Sequence, residues 1–440
     1  MENQTIVAQT TPLGRSGVAS IRLSGPRSFH LARKISNLKK ETVHHSVYLL
    51  PIYDEEQNKI DEGIFTFFKS PRSYTGEDVV EISCHGNPYV SDRIIGAAIK
   101  LGARIAEPGE YTKRAYLNGK MNLAQAESVS LLISSRSREA AEHQLKNLSG
   151  DASNRIENIQ RDLVTSLSGL EFEFDISEEE TSLGSLSTSL LKRIKNNHLD
   201  INRLVETFAL GHAYTSGLRV VIVGEPNVGK STLMNSILGS SRSITDQKAG
   251  TTRDTITAEI VIGGIPTTII DTAGIRTTND KVELAGVDRA LAEITQSDLV
   301  LSVFTHESKE VENIGDILRL SIHNKSDKKI YSGTNNSVIS VSALKNKGIN
   351  KLLKTIEKTL KDARPYSEDI LINTERQKSA LQDCSSFLSL VIEKLGHKHP
   401  PLELVAADLR SSIECLDSFL GTTTTDDILD QVFSDFCVGK

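Results

Sequence analysis

The chain has 440 residues, with 51 lysines and arginines against 57 aspartates and glutamates and a formal charge of −6. That length supports two or three domains, and the acidic balance excludes a protein that grips nucleic acid through bulk positive charge; any such contact must use a local patch. Cys84, Cys384, Cys415 and Cys437 lack CxxC spacing, and no apolar run approaches the ~20 residues of a membrane span, which predicts a reducing, cytoplasmic setting without a zinc site or membrane association.

Residues 1–118 mix short apolar runs with glycine and proline punctuation. Strands are expected at Val18–Leu23, Ile64–Phe68 and Val79–Ile82 and a helix near Asp92–Leu101, the pattern of an α/β or α+β domain. From about Asn122 the pattern turns helical: Ile156, Ile159, Leu163, Leu167 and Leu170 recur at intervals of three and four. Glu178-Glu179-Glu180 and the run to Thr188 read as a loop between helices with no function assigned.

At the centre, the β-branched run Val220-Val221-Ile222-Val223 leads into Gly224-Glu225-Pro226-Asn227-Val228-Gly229-Lys230-Ser231, followed by a helix-compatible stretch from Thr232 to Leu238. This is a phosphate-binding loop in its required strand-to-helix setting. Backbone N–H groups must curl around a polyphosphate, which needs glycine; Lys230 then reaches the β- and γ-phosphates, and the Ser231 hydroxyl ligates Mg²⁺. The helix that follows presents its positive end to the same anion.

Four further pieces follow in the order a GTPase needs. Gly250-Thr251-Thr252-Arg253-Asp254 is a polar stretch from which Thr252 would complete the Mg²⁺ shell. Glu259–Ile262 and Ile265–Ile270, joined by Gly263-Gly264, read as a hairpin whose second strand delivers Asp271-Thr272-Ala273-Gly274 to its end. Asp271 would hold the metal through water, and the Gly274 N–H would sense the γ-phosphate. Asn324-Lys325-Ser326-Asp327 offers a carboxylate matched to the N1 and N2 donors of guanine, which adenine cannot satisfy. Ser342-Ala343-Leu344, after the short strand Val338–Val341, would place a backbone N–H near guanine O6.

Ras-like proteins carry a glutamine after the glycine of the third motif to orient the attacking water; here Ile275 stands there, and it cannot hold water. Glu283 is the best-placed replacement, although a carboxylate beginning the expected helix Glu283–Ile294 is favoured in any case. No arginine finger can be named; Arg253 and Arg276 are either that or solvated. The Asn227 amide oxygen could instead ligate a monovalent cation in the arginine's place.

After Glu375 the helical pattern returns in Leu381, Cys384, Leu388, Val391 and Leu395, and again in Leu409, Ile413, Leu416 and Leu420. Two helical stretches, 119–215 and 366–440, therefore flank a self-contained GTPase segment of about 216–365. One helical domain interrupted by an inserted P-loop (Ras-like) GTPase domain is the economical arrangement, giving a multidomain α/β plus α chain.

The runs TIVAQTTPLGRSGVASIRLSG (5–25), SYTGEDVVEISCHG (73–86), PGEYTKRAYLNGKMNLAQAE (108–127) and the terminal FCVGK (436–440) resemble the tRNA-modification GTPase family called MnmE or TrmE. The resemblance covers essentially the full length. It implies an N-terminal α+β domain that binds folate and dimerises, a helical domain, and a GTPase domain that pairs across the nucleotide with K⁺ instead of an arginine finger. It further implies a homodimer working with the flavoprotein MnmG (GidA), as a heterotetramer or larger, on the C5 position of the wobble uridine of certain tRNAs. The one-carbon unit would come from 5-formyl- or 5,10-methylene-tetrahydrofolate.

By matching motif, the resemblance places Arg22, Glu81, Lys120 and Lys440 at the folate and Cys437 in the modification step. It makes Glu283 the group that orients water, and adds the backbone of Asp246 and Lys248, with Thr251, to Asn227 as K⁺ ligands. The full set of candidate GTP contacts is Asn227 to Thr232, Asp246, Gln247, Lys248, Ala249, Gly250, Thr251, Thr252, Asp271 to Gly274, Asn324, Lys325, Asp327, Ser342, Ala343 and Leu344. The segment from Val303 to Asn324 is short and carries Thr305 where relatives usually have aspartate, so the base-side pocket is expected to differ in detail. The competing reading is a ribosome-assembly GTPase without modification chemistry, but the sequence shows neither a KH-type RNA-binding module nor a second GTPase segment.

Overall fold

The computed structural model describes residues 4–40, 45–176, 183–240, 256–272, 292–311, 317–329, 331–332, 337–364, 370–397, 399–423, 425–434 and 436–440. Of the loop expected from Glu178 to Thr188, residues 178–182 lie outside these residues, as do the segment holding Arg253, Ile275 and Arg276. Leu183 to Thr188 are helical rather than loop, forming the first turns of a helix that runs to Glu206. The chain divides into two compact units: Met1–Ser130 with Leu148–Glu157 and Glu414–Lys440, and Leu131–Asn147 with Asn158–Ile413.

In the first unit the elements run β1 (Ile6–Gln9), β2 (Ala19–Ser24), α1 (Ser28–Ser36), β3 (Ser46–Tyr53), β4 (Lys59–Phe68), β5 (Val79–Cys84), α2 (Pro88–Lys100), β6 (Arg104–Ile105) and α3 (Glu110–Leu117). The six strands form one sheet in the order β3-β4-β5-β2-β1-β6, antiparallel except for the β1/β6 pair. Because side chains alternate across a strand, Ile21 and Leu23 of β2 and Val80 and Ile82 of β5 fall on one face, packed with Leu31 and Ile35 of α1 and Ile94 of α2. Arg22 and Glu81 consequently fall on the other face, in direct register across β2 and β5. The predicted helix near Asp92–Leu101 is present but begins earlier: Asn87 caps it, accepting from the Tyr89 N–H, and Pro88 occupies the first turn where its missing N–H costs nothing.

The helices after the sheet are α4 (Leu123–Ile133), α5 (Arg138–Leu148), α6 (Asp151–Ile176), α7 (Leu183–Glu206) and α8 (Phe208–Ser216). Then come β7 (Leu218–Val223), α9 (Lys230–Ser240), β8 (Ile256–Ile262), β9 (Ile265–Asp271), β10 (Leu299–Phe304), β11 (Arg319–His323), β12 (Ile339–Ser340) and α10 (Ile349–Asp362). The chain ends in α11 (Glu375–Leu395), α12 (Leu402–Leu420) and α13 (Asp426–Ser434). Strands β7 to β12 make a second sheet, ordered β12-β11-β10-β7-β9-β8, parallel except for the hairpin β8/β9. Every residue of β10 is buried, as expected for a central parallel strand covered on both faces. Gly263 and Gly264 turn the hairpin with φ of 59° and 87°, the doubly positive geometry that matches strand twist.

Most of the periodic apolar positions are buried: Ile156, Ile159, Leu163 and Leu170 of α6, Leu381, Cys384, Leu388, Val391 and Leu395 of α11, and Leu409, Leu416 and Leu420 of α12, while Leu167 and Ile413 are only partly buried. The strand predicted over Val338–Val341 is shorter than expected, with only Ile339 and Ser340 pairing to β11. Of the expected helix Glu283–Ile294, only residues 292–294 are described, and these are helical.

Candidate functional site

Strand β7 ends at Val223, and Gly224 turns the chain out of the sheet. A Cβ on Gly224 would stand 2.2 Å from the Val303 carbonyl oxygen, so the loop can leave the strand there only with glycine. Asn227 takes a left-handed conformation (φ 63°), Val228 is buried, and α9 begins at Lys230. The Lys230 ammonium donates to the carbonyls of Gly224 (2.9 Å) and Glu225 (3.1 Å), folding the lysine back along its own loop. One residue on, the Ser231 hydroxyl donates to Oδ2 of Asp271 at 2.5 Å. A hydroxyl and a fully buried carboxylate side by side are hard oxygen donors of the kind Mg²⁺ takes, so the donor set fits the ion assigned to it. Thr272 Oγ1 donates to the Ile222 carbonyl (2.9 Å), pinning the end of β9 to β7.

One side chain, Asn324, ties both the fourth and the fifth motif to this loop, and Lys325 adds a second bond from the fourth. Asn324, 2% exposed, donates from Nδ2 to the Val228 carbonyl (2.9 Å) and accepts at Oδ1 from the Ala343 N–H (3.1 Å). Lys325, with φ 58°, donates to the Asn227 carbonyl at 2.6 Å. Asp327 accepts from the Ser342 hydroxyl at 2.6 Å, a bond that holds its carboxyl below the usual range, and Lys345 Nζ lies 3.6 Å from its other oxygen. Leu344 is 82% exposed, an apolar side chain left on the surface beside the carboxylate's loop. The structure therefore brings together Val228, Asn324, Lys325, Asp327, Ser342 and Ala343, and separately Ser231 with Asp271. Asp246, Gln247, Lys248, Ala249, Gly250, Thr251, Thr252, Ala273, Gly274 and Glu283 lie outside the described residues.

The role of Asn324 as tether was not drawn from the sequence, nor was that of Ser342 as holder of Asp327. The signal was present: an amide two residues before the motif's small residue carries both N–H donors and a carbonyl acceptor, enough to join two loops.

In the first unit, Arg22 and Glu81 form a two-donor pair, Nε and Nη2 both meeting Oε1 at 2.9 and 2.8 Å. The Arg22 guanidinium lies over the rings of Tyr74 (5.1 Å) and Tyr111 (5.4 Å). Tyr111 is fully buried, donates its hydroxyl to the Arg22 carbonyl (2.7 Å), and donates its backbone N–H to the Lys440 carbonyl at 3.2 Å. Burial pushes the hydroxyls of both tyrosines above their usual range, so they stay neutral. Val438 bridges to Pro108, which lays the terminal FCVGK against the start of α3. Lys120 instead donates to the Pro71 carbonyl (3.0 Å), and the Cys437 side chain is exposed. Glu81 leaves Oε2 outside its pair with Arg22 at 31% side-chain exposure, which suits the amide and amino edge of a pterin. Tyr74 and Tyr111, both inside runs that carry the resemblance, are the residues of this cluster to which the sequence assigned no part.

A family model described as "GTP-binding protein TrmE N-terminus" matches residues 5–120, and one described as "MnmE helical domain" matches residues 123–437. The chain is 39% identical over 454 residues to the tRNA modification GTPase MnmE of Thermotoga petrophila, covering 99% of this chain and 100% of that protein. It is 37% identical over 467 residues to the protein of the same name from Moorella thermoacetica, with 100% of both covered. For that of Aquifex aeolicus the identity is 36% over 449 residues, covering 99% and 100%. With two family models spanning the chain and full-length relatives above 30% identity, the chain belongs to the MnmE family of tRNA modification GTPases.

Proposed function

We propose that this chain binds and hydrolyses GTP and couples that turnover to modification at C5 of the wobble uridine of certain tRNAs. The observation that carries the reading is Asn324: one buried amide joins the phosphate loop at Val228 to the segment at Ala343, while Ser342 steadies Asp327. That assembly supports a carboxylate held ready for the two donors of guanine beside a loop built for phosphates. Lys230 would turn from its loop carbonyls to the β- and γ-phosphates, and Ser231, Asp271 and Thr252 would hold Mg²⁺. Asn227, Asp246, Lys248 and Thr251 would hold K⁺, and Glu283 would orient the attacking water where Ile275 cannot. The two ions would supply positive charge against the transferring phosphoryl group.

In the same reading, residues 1–118 form the folate-binding and dimerising domain, 216–365 the GTPase domain, and 119–215 with 366–440 the helical domain around it. Arg22 and Glu81, flanked by Tyr74 and Tyr111, would receive a tetrahydrofolate derivative, with Lys120 and Lys440 toward its glutamyl tail. The homodimer would act in the cytoplasm with a flavoprotein of the MnmG kind, and Cys437 would serve the modification step. Three measurements test this. GTP turnover should rise severalfold when K⁺ replaces Na⁺, and Glu283→Ala should abolish turnover while GTP still binds; equal rates in the two salts remove the cation. Wobble uridines that stay fully modified in cells lacking the protein would overturn the modification role.

A further inference from the structure

Residues 345–361 carry six lysines against one glutamate, a local charge of +5 in a chain whose total is −6. The lysines are ordered. At about 100° per residue, Lys351, Lys354, Lys358 and Lys361 of α10 fall within an arc of about 80°. Ile349, Leu352, Ile356 and Leu360, all buried, occupy the opposite side of the same helix. The core therefore fixes which way the lysines point. Lys361 is paired with Glu357 at 2.8 Å. Lys351, Lys354 and Lys358 are exposed, and among the described residues none of the observed ion pairs engages them. Three like charges held in a row with no acidic partner among the described residues repel one another, a cost that mixing glutamate into the row would relieve.

We propose that this face of α10 is a docking surface for the ribose-phosphate backbone of RNA, which under the function proposed above is the tRNA itself. Lys351 to Lys358 span about 10 Å along the axis, the reach of about three nucleotides of one strand. A shallow cleft beside the row is lined by Asn350, Lys351, Lys354, Thr355 and Lys358. Thr355 spends its hydroxyl proton on the Lys351 carbonyl (2.9 Å), so its oxygen is left to accept from a ribose 2′-hydroxyl, and the exposed Asn350 amide can donate or accept beside it. An acidic chain that must hold a polyanion needs such a local patch, and the surface supplies phosphate contacts without base readout.

The test is tRNA affinity against salt for the full-length triple variant Lys351→Gln, Lys354→Gln, Lys358→Gln. Lys345 and Lys347 are left in place, because they belong to the loop beside Asp327. The slope of log K against log salt should fall in magnitude by about 2 to 3, near one unit per lysine, and Kd at moderate salt should rise about tenfold or more. GTP turnover without tRNA should stay at the wild-type rate, and the matching triple Lys→Arg variant should keep the wild-type slope. If the glutamine variant binds tRNA with unchanged affinity and slope while the wild type binds and modifies it, this surface is overturned and the proposed function stands. An acidic protein partner on this face would give that same unchanged result. If the wild type itself binds no tRNA at low salt, both fall.

Discussion

The Asn324 amide nitrogen sits 2.9 Å from the Val228 carbonyl oxygen, so the Gly224–Ser231 loop and the Asn324–Asp327 loop share a buried hydrogen bond. The same side chain accepts from Ala343, and a Cβ on Gly229 would come within 2.6 Å of its nitrogen. Asn324→Ala removes both bonds and leaves a buried carbonyl and a buried N–H unpaired, each costing about 1–3 kcal/mol. GTP and GDP affinity should fall by about 10- to 100-fold together, since the loss loosens the loops rather than any contact to the γ-phosphate. Titration with a fluorescent guanine nucleotide measures it; a selective loss of GTP over GDP would contradict the tether.

Ser342 gives a separate prediction. Its hydroxyl is the chief cause of the low pKa of Asp327, whose ordinary value is 3.8. Because the folded value is depressed, the carboxylate is present above it and lost as pH falls through it. In Ser342→Ala the carboxyl should titrate at higher pH, moving the acid limb of nucleotide binding toward neutrality. At pH 7 the carboxylate is charged in both proteins, so the remaining weakening reports positioning alone. Binding curves from pH 3.5 upward check this on a guanine nucleotide; coincident acid limbs would refute it.

Much of this was legible in the chain because the relevant signals are local. The loop from Gly224 to Ser231 must lie between a strand and a helix, and Val220–Val223 and the stretch after Lys230 supply both. The hairpin at Gly263-Gly264 and the buried rows of α6 and α11 follow from turn chemistry and from helical spacing in the same way. What escaped was set by pairing between distant segments. Arg22 and Glu81 are 59 residues apart and meet because β2 and β5 share a register that no local pattern states. Tyr111 reaches Arg22 across 89 residues, and Asn324 reaches Val228 across 96. The early start of α2 escaped for another reason: Pro88 reads as a breaker unless it is seen to occupy a first turn.

The cysteines differ in ways a thiol probe should separate. Burial pushes the Cys84 thiol up to about 11 and leaves it 4% exposed, so at pH 8 only about one molecule in a thousand carries the thiolate there. Cys384 is fully buried on α11, whereas the Cys437 side chain is exposed. Alkylation of the native protein at pH 8 should therefore label Cys437 first, and Cys437→Ser should remove that fast phase while Cys84 and Cys384 react only after unfolding. Peptide mapping by mass spectrometry checks the order; early labelling of Cys84 would contradict its burial.

Glu110 ties the start of α3 to its surroundings and makes the first unit acid-sensitive. Only 8% exposed, its carboxylate accepts from Arg104 at 2.6 and 3.0 Å, from Arg114 at 2.8 Å, and from the Glu107 N–H at 2.8 Å. Burial alone would raise its pKa, but the bonds from Arg104, Glu107 and Arg114 outweigh it and hold the carboxyl below its ordinary 4.5. A depressed carboxylate contributes stability above its unfolded value and loses it as pH falls through the folded one. Glu110→Gln should therefore cost about 1.5–3 kcal/mol at pH 7, the scale of hydrogen bonds to a charged group, with Arg114 retaining its bonds to Glu77 at 3.1 and 3.0 Å. That deficit should shrink steadily below pH 4.5, because the wild type loses the same charge there. Urea denaturation of both proteins at pH 7, 5 and 4 measures the difference; a gap that stays constant with pH would mean the carboxylate's charge plays no part in holding α3.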